Sequence, residues 1–367
     1  MASLDSWHEI VLPPVKVWGE PRREPDGGRP GATSSSDARL AAVAAEAGLD
    51  LAPDAVRGHD HGDGRPHDHR HPHEHAAPDQ PPYIGIVGAG AVGTALGVAL
   101  SRAGWPITAV ASRDAGRRER FSRLVGGTRA FAEATAILDE VELIILAVPD
   151  DALAGLAAGL RLYSGQALVH TSGALGAEVL EPAMAAGTQI GSFHPLVAFA
   201  DTERAVAALH GATIAVEGDD QLVSLLADMA EVVGATAVRL APGSKSAYHA
   251  AAVLAAGGFD ALLDAIAELG RVAGLDEASS LAIYGPLIEQ TLGNARALGI
   301  RAALTGPITR GDVGTLRAHM ATIAAHAPGV VELYRAAAER EIALAADRGT
   351  LTPDAVRGLR AALALQS

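Results

Sequence analysis

The stretch "IGIVGAGAVGTAL" (84–96) restricts this chain more than any other part of it. Gly88, Gly90 and Gly93 stand in G-x-G-x-x-G spacing between an apolar strand, "YIGIVG", and a helical run, "AVGTALGVALSRAG", that ends at Gly104. Gly88 allows a tight turn, Gly90 lets the backbone approach a pyrophosphate, and Gly93 permits close packing of helix on strand. The helix that follows points its N-terminus, with its free N–H groups, at phosphate charge. A glycine triad alone is a weak signal, but between a strand and a helix it is a strong one. Gly88, Gly90, Ala91, Val92 and Gly93 are therefore the expected cradle of a dinucleotide.

The rest of the first half fits that expectation. Apolar strand patterns recur at "PITAVAS" (106–112), "VELIILAVP" (141–149), "ALVH" (167–170), "QIGSF" (189–193), "ATIAVE" (212–217) and "ATAVRL" (235–240), with helical stretches between most of them. Such alternation predicts an open, doubly wound α/β sheet. The second strand ends at Ser112 and Arg113, where a site selective for NAD carries an acid for the ribose hydroxyls. A hydroxyl and a guanidinium suit a 2′-phosphate instead, so the expected cofactor is NADP(H). Asp114 is the counter-argument, one residue beyond Arg113, and Arg117 and Arg118 suit either a phosphate or a solvated helix face.

Ligands of open α/β sheets lie beyond the carboxyl ends of the strands. Three such ends carry chemistry here: "AVPDDAL" (147–153), "HTSGAL" (170–175) and "SFHPL" (192–196). Val148 and Pro149 would line the nicotinamide side. Ser172 and Gly173 would meet a small polar substrate, and His194 could hydrogen-bond to its carbonyl or carboxylate. His170 lies closer to the strand and reads as structural.

After Pro242 the strand signal stops. Ala- and Leu-rich helical runs follow at 244–273, 277–298, 312–325, 329–347 and 353–365. Only Lys16 and Lys245 are lysine among 29 basic residues. Lys245 falls at a helix start, where a cation is opposed by the helix dipole, and it can lose a proton where arginine cannot. His249 is four residues on and shares its helix face. The two read as an acid–base pair, against the plainer alternative of a snorkelling lysine and a hydrogen-bonded histidine. In "ALTGPITRGD" (303–312), Thr305 lies at a helix break, and Arg310 could clamp a carboxylate or pair locally with Asp312.

Residues 1–81 are different. Proline, glycine, aspartate and histidine dominate, and "GHDHGDGRPHDHRHPHEH" (58–75) holds seven of the 14 histidines. So little apolar surface predicts disorder, apart from a helical island at 38–51. A solvated linker is the favoured reading of the histidine run, with loose divalent-metal binding as the alternative. No metal site is expected in the folded body. A net charge of −14 argues against nucleic acid as a partner. There is no cysteine, no secretory pattern opens the chain, and no uninterrupted apolar run of membrane-spanning length is read from the sequence, so the expected location is cytoplasmic and off the membrane.

"HTSGALGAEVLEP", "GSFHPLVAFAD", "SAYHAAAVLAA" and "ALTGPITRGD" together resemble a bacterial family that joins a Rossmann-like domain to a helical domain of unknown function. That second domain is similar to the C-terminal domain of 6-phosphogluconate dehydrogenase. The resemblance covers about 82–366 and implies an NADP-binding domain at 82–240 and a helical substrate and dimerisation domain at 241–367. The wider superfamily includes ketopantoate reductase, pyrroline-5-carboxylate reductase, prephenate dehydrogenase, β-hydroxyacid dehydrogenases and deazaflavin-dependent NADP reductases, which implies a homodimer built through the helical domain. By the same resemblance His194 matches the His-Pro motif of prephenate dehydrogenases, Ser172 and Gly173 the substrate loop of β-hydroxyacid dehydrogenases, and Lys245 their catalytic lysine. One departure stands out: Ala256, Gly257 and Gly258 occupy the place where an asparagine is expected. The leading expectation is an NADPH-dependent reductase of a small 2-oxo acid, ketopantoate-like. In that reading Lys245 is the proton donor, His249 or His194 supports it, and Ser172, Gly173, Thr305 and Arg310 hold the substrate. An imine reductase and a non-enzymatic NADP-binding protein are the alternatives.

Overall fold

The computed structural model describes residues 80–364, apart from Pro242. The histidine-rich run and the 38–51 helix lie outside the described residues. Eight strands form one sheet in the order β3-β2-β1-β4-β5-β6-β7-β8. They are β1 (Ile84–Val87), β2 (Ile107–Ala111), β3 (Arg129–Phe131), β4 (Leu143–Leu146), β5 (Ala167–His170), β6 (Gln189–Pro195), β7 (Thr213–Glu217) and β8 (Thr236–Arg239). The first six are parallel, with the chain reversing direction of travel between β1 and β4. That is the doubly wound arrangement, and the reversal opens the crevice where such sheets bind ligands.

Helices α1 (Ala91–Arg102), α2 (Ala115–Leu124), α3 (Asp150–Gly159), α4 (Thr202–Leu209) and α5 (Asp220–Val232) cover the sheet. Alternate strand residues supply two cores, as the two-residue period of a strand requires. Ile84, Ile86, Val110, Leu143, Ile145 and Phe193 pack with Leu96, Phe121 and Leu226 on one face. Val87, Ala109, Ile144, Leu146 and Leu168 pack with Leu153, Ala157 and Leu180 on the other.

Two features depart from the sequence reading. Strand β7 runs antiparallel to β6, pairing Ser192 with Glu217 and Pro195 with Ile214. Its alternating apolar pattern is the same in either direction, so sequence gave no sign of the reversal. Strand β3 is short, with Arg129 and Ala130 exposed, and lacked the apolar run that marked the others.

The second half is helical: α6 (Lys245–Ala255), α7 (Gly257–Val272), α8 (Glu277–Leu298), α9 (Ile300–Ala303), α10 (Val313–His326), α11 (Val331–Asp347) and α12 (Pro353–Ala364). The run read as one helix at 244–273 is bent at Ala256, whose backbone (φ −108°, ψ −93°) leaves the helical region. Leu316, Met320, Ala338, Ile342, Leu359 and Leu363 give α10, α11 and α12 a small core of their own. Within the 28 residues Lys245–Val272 an 18-residue window reaches a mean hydropathy of 1.6 with 11 % of it buried, long and apolar enough to cross a membrane by length and composition only. Val253, Leu254, Ile283, Leu287, Leu292 and Leu298 on α6 and α8 are all exposed.

At the β1–α1 turn the glycines are required for different reasons. Gly88 has φ +106°, and a Cβ there would lie 2.1 Å from the Ala147 carbonyl oxygen. A Cβ on Gly93 would lie 2.0 Å from the Gly88 oxygen, whereas a Cβ on Gly90 would meet nothing within 4 Å. Gly88→Ala should therefore cost about 2 kcal/mol or more in urea unfolding, and Gly90→Ala should leave stability unchanged to about 0.5 kcal/mol.

Candidate active site

The carboxyl edge of the sheet brings together the ends of β1, β4, β5 and β6. Gly90 is the N-cap of α1 in extended conformation and no side chain caps that helix, so the first N–H groups at Ala91 and Val92 face outward. The open space over Gly90 fits a pyrophosphate drawn close to backbone. Val148 flanks this turn, since a Cβ on Gly88 would lie 3.2 Å from its Cγ1. Pro149 is exposed and caps α3.

At the end of β2, Asp114 is committed elsewhere. Its carboxylate accepts the Arg117 N–H at the start of α2, and that bond holds its carboxyl below the ordinary aspartate value. Arg117 pairs with Asp114, and Arg118 donates to the Ser112 carbonyl. Arg113 is exposed and has no hydrogen-bond or ion-pair partner among the described residues. These placements suit a 2′-phosphate at Ser112 and Arg113.

The second half of the site is a histidine cluster. His170, fully buried, accepts the Ser172 N–H at Nδ1 (3.1 Å) and donates from Nε2 to the Gly176 carbonyl (3.1 Å). Burial, helped by the Lys245 charge, lowers its pKa to about 4, so it is a neutral structural residue. Ser172 Oγ accepts the N–H groups of Ala174 (3.2 Å) and Leu175 (3.0 Å), which closes the 172–175 turn and leaves the hydroxyl proton for another acceptor. His194 donates from Nδ1 to the Thr171 carbonyl (3.1 Å), so its Nε2 is an acceptor. Burial holds its imidazole below the ordinary histidine value despite that bond.

His249, on α6, faces His194 with ring centroids 5.7 Å apart, and Tyr248 lies edge-on to the same ring at 6.1 Å. His249 Nδ1 and Tyr248 OH are buried polar atoms with no hydrogen-bond partner among the described residues. Gly173 fits between the two histidines: a Cβ there would lie 2.3 Å from His249 Nδ1 and 2.6 Å from His194 Cε1. The cluster thus offers one defined acceptor, a second imidazole nitrogen and a phenol, all lacking partners, beside bare backbone.

Lys245 lies one turn away but not free. It is 4 % exposed, and its Nζ donates to Ser192 Oγ (2.6 Å) and Glu217 Oε2 (2.7 Å). Ser192 in turn donates to the same carboxylate oxygen (2.7 Å). Burial pushes the Lys245 ammonium below its ordinary value. Burial pushes the Glu217 carboxyl up, but bonds from Lys245 and Ser192 outweigh it and hold the carboxyl below its usual range. Ser192, Glu217 and Tyr248 were not singled out from sequence; the one available signal was that a lysine on an apolar helix face needs a counter-ion.

Thr305 and Arg310 are exposed, and neither hydrogen-bonds to the histidine cluster. Arg310 and Asp312 make no close ion pair; Asp312 caps α10, accepting from Thr315 N (3.0 Å) and Thr315 Oγ1 (2.7 Å). Those bonds lower the Asp312 carboxyl, and the charge of Arg310 is among the lesser influences in the same direction.

His170 predicts a pH dependence. Its pKa is about 4 when folded against 6.5 in the free side chain, so its contribution is fully present above pH 6.5 and lost as pH falls through that window. Urea unfolding should show stability falling by roughly 3 kcal/mol between neutral pH and about pH 4, and His170→Asn should flatten that limb.

Comparisons with known proteins agree with this architecture. Residues 71–195 match a Rossmann-like domain, and residues 212–341 match the domain of unknown function DUF2520. A Bacteroides fragilis protein provisionally named an NADP oxidoreductase superposes with a TM-score of 0.61 at 23 % identity, over 71 % of this chain and 98 % of that one. An imine reductase from Aspergillus terreus in complex with NADPH4 gives 0.54 at 19 % identity, over 76 % and 98 %. A 1-pyrroline-5-carboxylate reductase from Streptococcus pyogenes gives 0.51 at 16 % identity, over 76 % and 98 %. No curated protein matches. The chain is a Rossmann-like domain followed by a helical DUF2520 domain, the combination that its motifs resemble.

Proposed function

We propose that this chain is an NADPH-dependent oxidoreductase that reduces the C=N bond of a small imine at the His194–His249 cluster. The observation that carries this reading is the pairing, on one sheet edge, of an open glycine cradle with an imidazole acceptor that has no partner among the described residues. Gly88, Gly90, Ala91, Val92 and Gly93 would hold the pyrophosphate, Ser112 and Arg113 the 2′-phosphate, and Val148 and Pro149 one side of the nicotinamide. NADPH bound there supplies a hydride. His194 Nε2 would accept the N–H of an imine that arrives protonated, and His249 Nδ1 and the Ser172 hydroxyl would orient it. No acid is then required, because the substrate nitrogen already carries its proton.

A 2-oxo acid asks more of the site, since a developing alkoxide needs a donor. The donor expected from sequence, Lys245, is bonded to Glu217 and Ser192 instead. One observation favours this second reading: the Tyr248 hydroxyl, unpartnered beside His194, is a possible donor in its place. The solved relatives named for imine and pyrroline-5-carboxylate reduction share the fold, which agrees with the first reading. A panel of cyclic imines and 2-oxo acids, followed by NADPH oxidation, separates the two. Turnover of imines alone supports the proposal, and turnover of 2-oxo acids alone, abolished by Tyr248→Phe, overturns it.

Cofactor choice is tested at Arg113. Losing one charge-assisted contact in Arg113→Ala should weaken NADPH binding about 10- to 100-fold and leave NADH binding unchanged.

We also infer that a second copy of this chain covers the exposed apolar residues of α6 and α8. Val253, Leu254, Ile283 and Leu287 are each more than half exposed, and patches of this kind mark interfaces. Sedimentation at micromolar concentration should give a dimer, and Leu254→Glu with Leu287→Glu should give a monomer. A monomeric native protein that binds lipid vesicles would refute this.

A further inference from the structure

We infer that Lys245, Glu217 and Ser192 form a buried latch that sets the register of α6 against β6 and so places His249 opposite His194. Lys245 is then a positioning residue and not the proton donor.

The argument is one of matched periods. Lys245 is the first residue of α6, and its Nζ meets Ser192 on β6 at 2.6 Å. Four residues along a helix advance about 6 Å. Two residues along a strand advance about 6.6 Å and return to the same face. Four residues beyond Lys245 is His249, and two beyond Ser192 is His194, and those rings are 5.7 Å apart. Helix and strand therefore meet on two rungs, one ionic and one of paired imidazoles. Gly173 fills the gap at the second rung, where any Cβ would strike both rings.

Strand β7 completes the first rung. Ser192 and Glu217 are direct partners across the antiparallel β6–β7 pair, so the carboxylate is delivered beside the hydroxyl by sheet register. The single oxygen Glu217 Oε2 receives both the ammonium and the hydroxyl. A compact ammonium on a straight stem suits that point contact, whereas the planar fork of arginine is built for two acceptors. This accounts for lysine at 245 in a chain that uses arginine almost everywhere else.

The test uses the full chain with 15N-labelled imidazoles. In Lys245→Met and in the milder Glu217→Gln, the ring-to-ring contact between His194 and His249 should disappear from the NMR spectrum, while NADPH affinity stays within about twofold because the glycine cradle is separate. Lys245→Arg should keep the contact in part. Thermal unfolding of each variant checks that it is folded, and Glu217→Gln serves where Lys245→Met is not. The kinetic arm rests on the reductase reading and the NMR arm does not. Turnover should fall about 100-fold in Lys245→Met with little change in KM for NADPH, should recover partly in Lys245→Arg, and should fall no further when Lys245→Met is added to His249→Ala. Survival of the His194–His249 contact in Lys245→Met overturns the proposal. So does a full further loss on top of His249→Ala, the behaviour of a proton donor acting by itself.

Discussion

A charged contact between helix and sheet holds the site together. Lys245 Nζ, Glu217 Oε2 and Ser192 Oγ lie mutually within 2.6–2.7 Å, with the lysine buried and the glutamate partly buried. Removing one partner of such a pair strands a charge in low dielectric, at a cost of about 3–5 kcal/mol. Apolar contact alone lets a helix slide on a sheet, because alanines and valines pack almost equally well in neighbouring registers. A three-way hydrogen-bonded pair has one geometry, so it fixes what the apolar face leaves loose.

The two halves of the site are held by different physics. The cofactor side is steric: Gly88 and Gly93 let β1, α1 and the end of β4 approach to distances that no side chain would allow. The histidine side is electrostatic. His170 is kept neutral to brace the 170–176 loop, His194 is oriented by the Thr171 carbonyl, and His249 and Tyr248 present polar atoms whose partners must come from outside this set. Buried polar atoms without partners are uncommon in folded proteins, and two of them lie here beside an acceptor imidazole.

Much of the fold was legible because it rests on local rules. The glycine triad, the apolar runs at 84–87 and 143–146 and the change to Ala- and Leu-rich helices after 242 each follow from backbone sterics or side-chain period. The direction of β7 was not legible, since alternation of apolar residues carries no sense of direction. The bend at Ala256 was not legible either, because alanine propensity favours helix on both sides of it. At the site, His194 and His249 stood out as residue types suited to proton chemistry, but Lys245 was read by its type alone, without the carboxylate that defines its surroundings.

Sequence by itself determined that a glycine-rich turn joins the first strand to a helix, and that an α/β sheet precedes a helical half. Only the tertiary structure decided that Glu217 reaches Lys245 across 28 residues of chain, that His249 faces His194, and that Thr305 and Arg310 make no hydrogen bond to that cluster. The physical reason is that these pairings depend on the antiparallel turn of one strand and the register of one helix on the sheet, and neither is written in any local stretch of residues.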